Sequence, residues 1–248
     1  VSNGSRRLPL PDLIRGLALV NMIGYHALWD LVNLVSCPAW YSEGWAFWWQ
    51  QGICHTFIFL SGFCWSLSRR PLRHGLTNLA WGGLITVVTL AVLPEQPIWW
   101  GVLCLLGASA LLLMILEPLV SKLPAGAGLL VSGLLFLVTR WAALRCLGLA
   151  GVFTLPLPEG LYRNRFTAFL GFPPVGFVSS DYFPLVPWFF LFCAGYFLYR
   201  LGERRWAELP VMQCRIPGLN WLGRHSLVIY LLHQPVLYAL IVLNPLLH

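Results

Sequence analysis

The sequence predicts an all-α protein, a polytopic transmembrane helical bundle of about seven spans. Three observations carry that expectation. The 248 residues are 58% hydrophobic and only 10% charged, whereas a soluble domain has about a quarter of its residues charged. The apolar residues fall into runs of about 20, the length a helix needs to cross the hydrocarbon core. Thirteen Trp, 15 Phe and 8 Tyr suit aromatic belts at the two membrane–water interfaces.

Spans are expected at residues 12–36, 45–67, 76–93, 97–117, 125–142, 183–201 and 219–244. Turn and interface chemistry separates them, in "SCPAWYSEGW", "SRRPLRHG", "LPEQP", "EPLVSKLPAG" and "LGERRWAELPVMQCRIPG". Basic residues set the orientation, because cytoplasmic loops carry the excess of Lys and Arg. With the N-terminus cytoplasmic, the inner segments hold Arg6, Arg7, Arg69, Arg70, Arg73, Lys122, Arg200, Arg204, Arg205 and Arg215. The outer ones hold only Arg140, Arg145, Arg163 and Arg165. The formal charge of +7 is thus a topology signal and implies no nucleic-acid partner. Residues 1–248 read as one integral-membrane domain in a multi-pass chain, with no cleavable signal peptide. The seven Cys show no C-x-x-C pair, so neither a metal site nor a disulfide framework is expected.

Residues 143–182 lie between the fifth and sixth spans. Their prolines and glycines exclude one continuous helix, and their apolar content excludes a solvated linker. A packed extracytoplasmic cap is expected there.

The first span, "PDLIRGLALVNMIGYHALWDLVNLV", carries Asp12, Arg15, His26 and Asp30. With Arg15 set at 0° on a helical wheel, His26 falls near 20°, Asn33 near 0°, and Asp12 and Asp30 both near 60°. Taken singly, Asp12 suits a helix N-cap, Arg15 a snorkelling anchor and His26 a neutral core histidine. Aligned on one face, they must address protein or a watery cavity. His26 lies about 21 Å beyond Asp12 along the axis, so the arginine end is inner and the histidine end outer. Asp30, one turn past His26, is in reach to orient its imidazole as a base.

The last span, "LNWLGRHSLVIYLLHQPVLYALIVLN", repeats that order. Arg224 sits at its inner end. His233 comes about 21 Å beyond Leu219 if the helix is continuous, with Gln234 beside it. The second span adds His55, with Gln51 on the same face. Three histidines from three spans therefore share a depth.

These residues resemble a known family. "LPLPDLIRGLALVNMIGYHALWDL", "FIFLSGFCWSLSRR", "GFPPVGFVSSDYFPLVPWFFLFCAGYFLYR" and "LGRHSLVIYLLHQPVLY" are similar to the bacterial branch of the heparan-α-glucosaminide N-acetyltransferase catalytic-domain family, from Leu8 to Val242. The spacing of Arg15 and His26 also resembles that in membrane O-acyltransferases that decorate bacterial surface sugars. The resemblance implies a bacterial plasma-membrane acetyltransferase. It would move an acetyl group from cytoplasmic acetyl-CoA to an amine or hydroxyl of a sugar or glycan on the other side. Arg15, Arg224, Arg69, Arg70 and Arg73 would then meet the CoA phosphates. His26 would be the general base, with Asp30 and His233 as catalytic partners. Asp181, Tyr182, His55 and Gln234 would position the acceptor. The lysosomal animal member's proposed acetyl-carrying histidine lies in its first lumenal loop. Here that loop, "SCPAWYSEGW", has none, so direct transfer with His26 as base is the expected form. The lipid bilayer is a partner on this reading, and a homodimer is compatible with it.

Two rival classes use the same residues. A transporter or channel would move protons or solutes along the polar stripe. A haem protein would take His26 and His233 as axial ligands.

Overall fold

A computed structural model describes residues 8–35, 41–149 and 151–243. Arg6, Arg7 and residues 36–40 of the first loop, all used above, lie outside the described residues. The main helices are α1 (Pro9–Leu34), α2 (Glu43–Trp65), α3 (Pro71–Val92), α4 (Val102–Val120), α5 (Ala125–Thr139), α6 (Arg165–Leu170), α7 (Leu185–Gly202), α8 (Pro217–Arg224) and α9 (Ser226–Val242). Helices account for 74% of the structure. Among the described residues the strands are limited to one antiparallel hairpin, β1 (Cys146–Leu149) and β2 (Phe153–Pro156), so the class is all-α.

Among the described residues, four helices are long and apolar enough to cross a membrane: α3, α4, α5 with the turn that follows it, and α7. The bent pair α8–α9 makes a fifth if it counts as one span. That is short of the seven spans expected. The 26-residue α1 and 23-residue α2 have the length. Their polar residues (Asp12, Arg15, His26 and Asp30 in α1; Gln50, Gln51 and His55 in α2) lower their hydropathy.

The chain divides into two compact units. The first comprises residues 1–60 and 203–248. Here α1 starts on Pro9 and Pro11, whose fixed φ and missing N–H suit a first helical turn. Leu8 is the N-cap and makes no side-chain capping bond; Asp12 lies inside the first turn. Helix α8 packs on the N-terminal half of α1 with backbones nearly touching. A Cβ at Gly16 would run into the carbonyl of Leu219, and one at Gly223 into the carbonyl of Asp12. Asn220, 3% exposed, locks the joint: its Nδ2 donates to Pro9 O at 2.8 Å while its Oδ1 accepts from Ile216 N. Leu19, Met22 and Ile53 form the apolar centre, with Tyr25, Trp49, Leu222 and Tyr230 packed around it.

The last span is not one straight helix. It turns by 88° between α8 and α9, although the proline, Pro235, lies ten residues further on, inside α9. At the corner the His225 ring folds back over Trp221, with centroids 4.5 Å apart. Its Nδ1 donates to Trp221 O at 2.9 Å. The rise of about 21 Å from Leu219 to His233, reckoned along one axis, therefore does not hold.

The second unit comprises residues 61–202. In it α3 packs on α4, and α7 packs on both α4 and α5. Trp65 Nε1 donates to Ala110 O at 3.1 Å, and Arg200 Nη2 to Ser121 O at 2.9 Å. Within 143–149 and 151–182 the chain forms short turns, a strand pair and the short helix α6. The β1–β2 hairpin turns at Gly151, whose φ of +78° favours glycine. Asn164 caps the short α6 through bonds from Phe166 N and Thr167 N, each 2.9 Å.

Candidate active site

Polar side chains gather at both ends of α1. At the N-terminal end Asp12 is 6% exposed. Arg15 Nη1 lies 3.6 Å from its Oδ1, and Arg224 Nε lies 3.5 Å from its Oδ2. Arg15 comes from the next turn of α1. Arg224 arrives because the glycine contacts seat α8 against this turn. Two guanidiniums thus share one carboxylate and the cluster keeps a surplus positive charge. The Arg224 side chain is 43% exposed and that of Arg15 is 20% exposed, so an anion can reach it.

About 21 Å along α1, His26 meets α9. Its ring lies 4.8 Å from that of His233, tilted by 58°. The Tyr25 ring stands edge-on to it at 5.5 Å. His233 Nδ1 donates to Tyr230 O at 2.5 Å. A carbonyl only accepts, so the neutral ring carries its proton on Nδ1 and its lone pair on Nε2. That Nε2 is buried without a hydrogen-bond partner.

Asp30 is 5% exposed. Gln234 Nε2 donates to its two oxygens, at 2.9 and 3.1 Å, so the carboxylate is engaged by Gln234 and not by His26. Gln234 Oε1 is also buried and unpartnered. The site therefore holds a carboxylate with a neutral amide partner and two unmet acceptor atoms. This arrangement suits a group rich in N–H or O–H donors, or a ring that becomes positively charged during reaction.

His26, Asp30, His233 and Gln234 come together, and so do Arg15 and Arg224. The other expected site residues lie apart in role or in unit. His55 donates its Nδ1 to Gln51 O at 2.5 Å, within its own helix. Arg69, Arg70 and Arg73 are exposed at the start of α3, in the second unit. Asp181, also there, accepts from Val102 N at 3.1 Å and so holds the start of α4. Tyr182 donates its hydroxyl to Ala168 O at 2.5 Å. Burial raises its pKa, and the phenol stays a neutral donor. Asn33 donates to Trp29 O on an exposed stretch of α1.

Sequence reasoning missed Tyr25, Asn21 and Trp49. Trp49 Nε1 donates to Asn21 Oδ1 at 3.1 Å, and the Trp49 ring meets Tyr25 at 5.7 Å. The available signal was Asn21 and Tyr25, four residues apart on α1 beside His26.

The family model described as heparan-alpha-glucosaminide N-acetyltransferase, catalytic, matches residues 7–235. No curated protein and no solved structure matches significantly.

Proposed function

Because the chain belongs to the heparan-alpha-glucosaminide N-acetyltransferase catalytic family, we propose that it is a membrane acetyltransferase that uses acetyl-CoA and acetylates an amine or hydroxyl of a sugar. The observation that carries this reading is the contact of His26 with His233 beside a buried Asp30 that has no cationic partner. Helices α1 and α2 complete a seven-span bundle on this reading. The N-terminus is cytoplasmic, in a bacterial plasma membrane, and residues 143–182 form the outer cap.

Donor phosphates are held by Arg15 and Arg224, whose shared Asp12 leaves net positive charge at an accessible surface. Arg69, Arg70 and Arg73 add charge on the same side of the membrane. At the far end of α1 the acceptor's N–H or O–H hydrogen-bonds to His26 while its N or O attacks the thioester carbon. His26 takes the proton, the C–S bond breaks, and the CoA thiolate leaves and recovers that proton. Asp30 stabilises the imidazolium through space, with Gln234 fixing its position. The unmet acceptors His233 Nε2 and Gln234 Oε1 orient the attacking group. His55 has an outer role nearer the rest of the acceptor, and Asp181 and Tyr182 have theirs in the outer cap.

The same uncompensated Asp30 favours an amine acceptor over a hydroxyl. A neutral amine nitrogen becomes positively charged as it bonds to the thioester carbon, and Asp30 stabilises that charge until His26 takes the proton. The haem reading fares worse. It would need room for a macrocycle between His26 and His233, and their ring centres lie only 4.8 Å apart. A transporter needs the stripe to be traversable, whereas the α8 joint closes tightly on the N-terminal half of α1.

The test is acetyl transfer from radiolabelled acetyl-CoA by purified protein. His26→Ala should abolish transfer and keep CoA binding. Transfer near the wild-type rate in His26→Ala, with His233→Ala dead, would move the base to His233.

A further inference from the structure

We propose that Tyr41, Trp45 and Trp49 form a saccharide-binding floor that leads the acceptor sugar to His26. The proposal rests on the acetyltransferase reading and assigns its acceptor a site.

The rings form an unbroken series. Tyr41 lies 5.9 Å from Trp45, Trp45 lies 5.8 Å from Trp49, Trp49 lies 5.7 Å from Tyr25, and Tyr25 lies 5.5 Å from His26. Trp45 and Trp49 are one turn apart on α2 and face the same way. Their planes differ by only 31°, so the two indoles are close to parallel. Tyr41 is half-buried, Trp45 is 37% exposed, and Trp49, Tyr25 and His26 are half-buried. The series is accessible at Trp45 and reaches the histidine pair at its other end.

Membrane-belt anchoring is the competing account of these tryptophans, and their neighbours serve it better. Trp48 is 67% exposed and Phe47 is 49% exposed, on other faces of the same turns. A belt Trp directs its N–H to headgroups or water. Trp49 instead donates to Asn21 of α1, which fixes its ring.

A floor of tilted indoles ending at a base suits a ligand with one flat apolar face and a polar rim. A pyranose has that form: axial C–H bonds pack on the ring faces and hydroxyls point outward. A small acyclic amine gains nothing from such a floor.

The test uses the full chain purified in detergent, with a β-1,4-linked glucosamine disaccharide as probe. Calorimetric titration without acetyl-CoA should show binding, weakened about tenfold in Trp45→Ala and changed less than about twofold in Trp48→Ala. In the transfer assay Trp45→Ala should raise KM for the disaccharide and leave kcat, and leave KM for ethanolamine unchanged. Equal effects of Trp45→Ala and Trp48→Ala, a KM change shared by ethanolamine, or no binding by the wild-type protein would each overturn the proposal. Binding with the expected variant pattern but no acetylation of either probe would leave the floor standing and sink the transferase reading. Acetylation with an unchanged KM in Trp45→Ala would do the reverse.

Discussion

Gln234→Leu should be among the most damaging single substitutions outside the apolar core. It removes both hydrogen bonds to Asp30, at 2.9 and 3.1 Å, and leaves a carboxylate that is 5% exposed without its partner. A hydrogen bond to a charged group contributes about 1.5–3 kcal/mol, and an orphaned buried charge costs at least that much. Because one amide nitrogen makes both contacts, the pair counts as little more than one bond. The expected loss is about 2–3 kcal/mol. For a chain of this size that corresponds to a fall in melting temperature of roughly 4–12 °C, followed by thermal unfolding in detergent. Replacing both partners by apolar residues removes the orphan, so Asp30→Val with Gln234→Leu should recover most of the lost stability. The double variant should still lack transfer, because the countercharge for His26 is gone. If the double variant is as unstable as Gln234→Leu alone, the orphaned carboxylate is not the cause of the damage. If it regains transfer, Asp30 has only a structural role.

Arg15→Ala and Arg224→Ala should each weaken CoA binding about tenfold, the value of one charge-assisted contact; unchanged affinity in both would remove the phosphate assignment. Gly223→Val should cost about 1–3 kcal/mol by driving α8 off Asp12 O, and it should also lower CoA affinity because Arg224 moves with that helix; a wild-type melting curve would refute the close-packed joint. Asp181→Ala should destabilise by about 1 kcal/mol, as loss of a helix cap does, and Asp181→Asn by less, since an amide oxygen still accepts. A raised acceptor KM in Asp181→Asn, with stability intact, would favour a direct acceptor role.

The polar stripe of α1 was legible because a 26-residue helix keeps its period, and wheel positions then report shared faces. Its pairing with His233 was legible only as a shared depth. The partners inside the stripe were not legible. Asp12 looked like a cap and is an ion-pair centre, because the α8 joint brings Arg224 to it from across the sequence. The corner at His225 has no local breaker. Beside it Gly16 and Gly223 fit against a neighbouring backbone, a contact that periodicity does not report. Residues 143–182 announced their turns through glycine and proline, but the β1–β2 pairing in "CLGLAGVFTLP" is too short for alternation to stand out. Trp45 and Trp49 were absorbed into a compositional argument about belts, which counts aromatic residues without asking which ones face another helix.

Arg15 and His26 stand on the same rigid helix, eleven residues apart, and this makes α1 a ruler. On the assignment proposed above, a donor anchored by its phosphate at Arg15 has to present its acyl carbon about 16 Å away along the axis. The helix itself holds that axial rise, with α8 packed on one end and α9 meeting the other. Selection among acyl donors then follows from reach. A thioester on a short thiol has the reactive group but no anchor. A phosphorylated donor with a shorter arm has the anchor but stops inside the bundle. On the proposed mechanism a carrier needs both the charge and the length to deliver its acyl group to the histidine end.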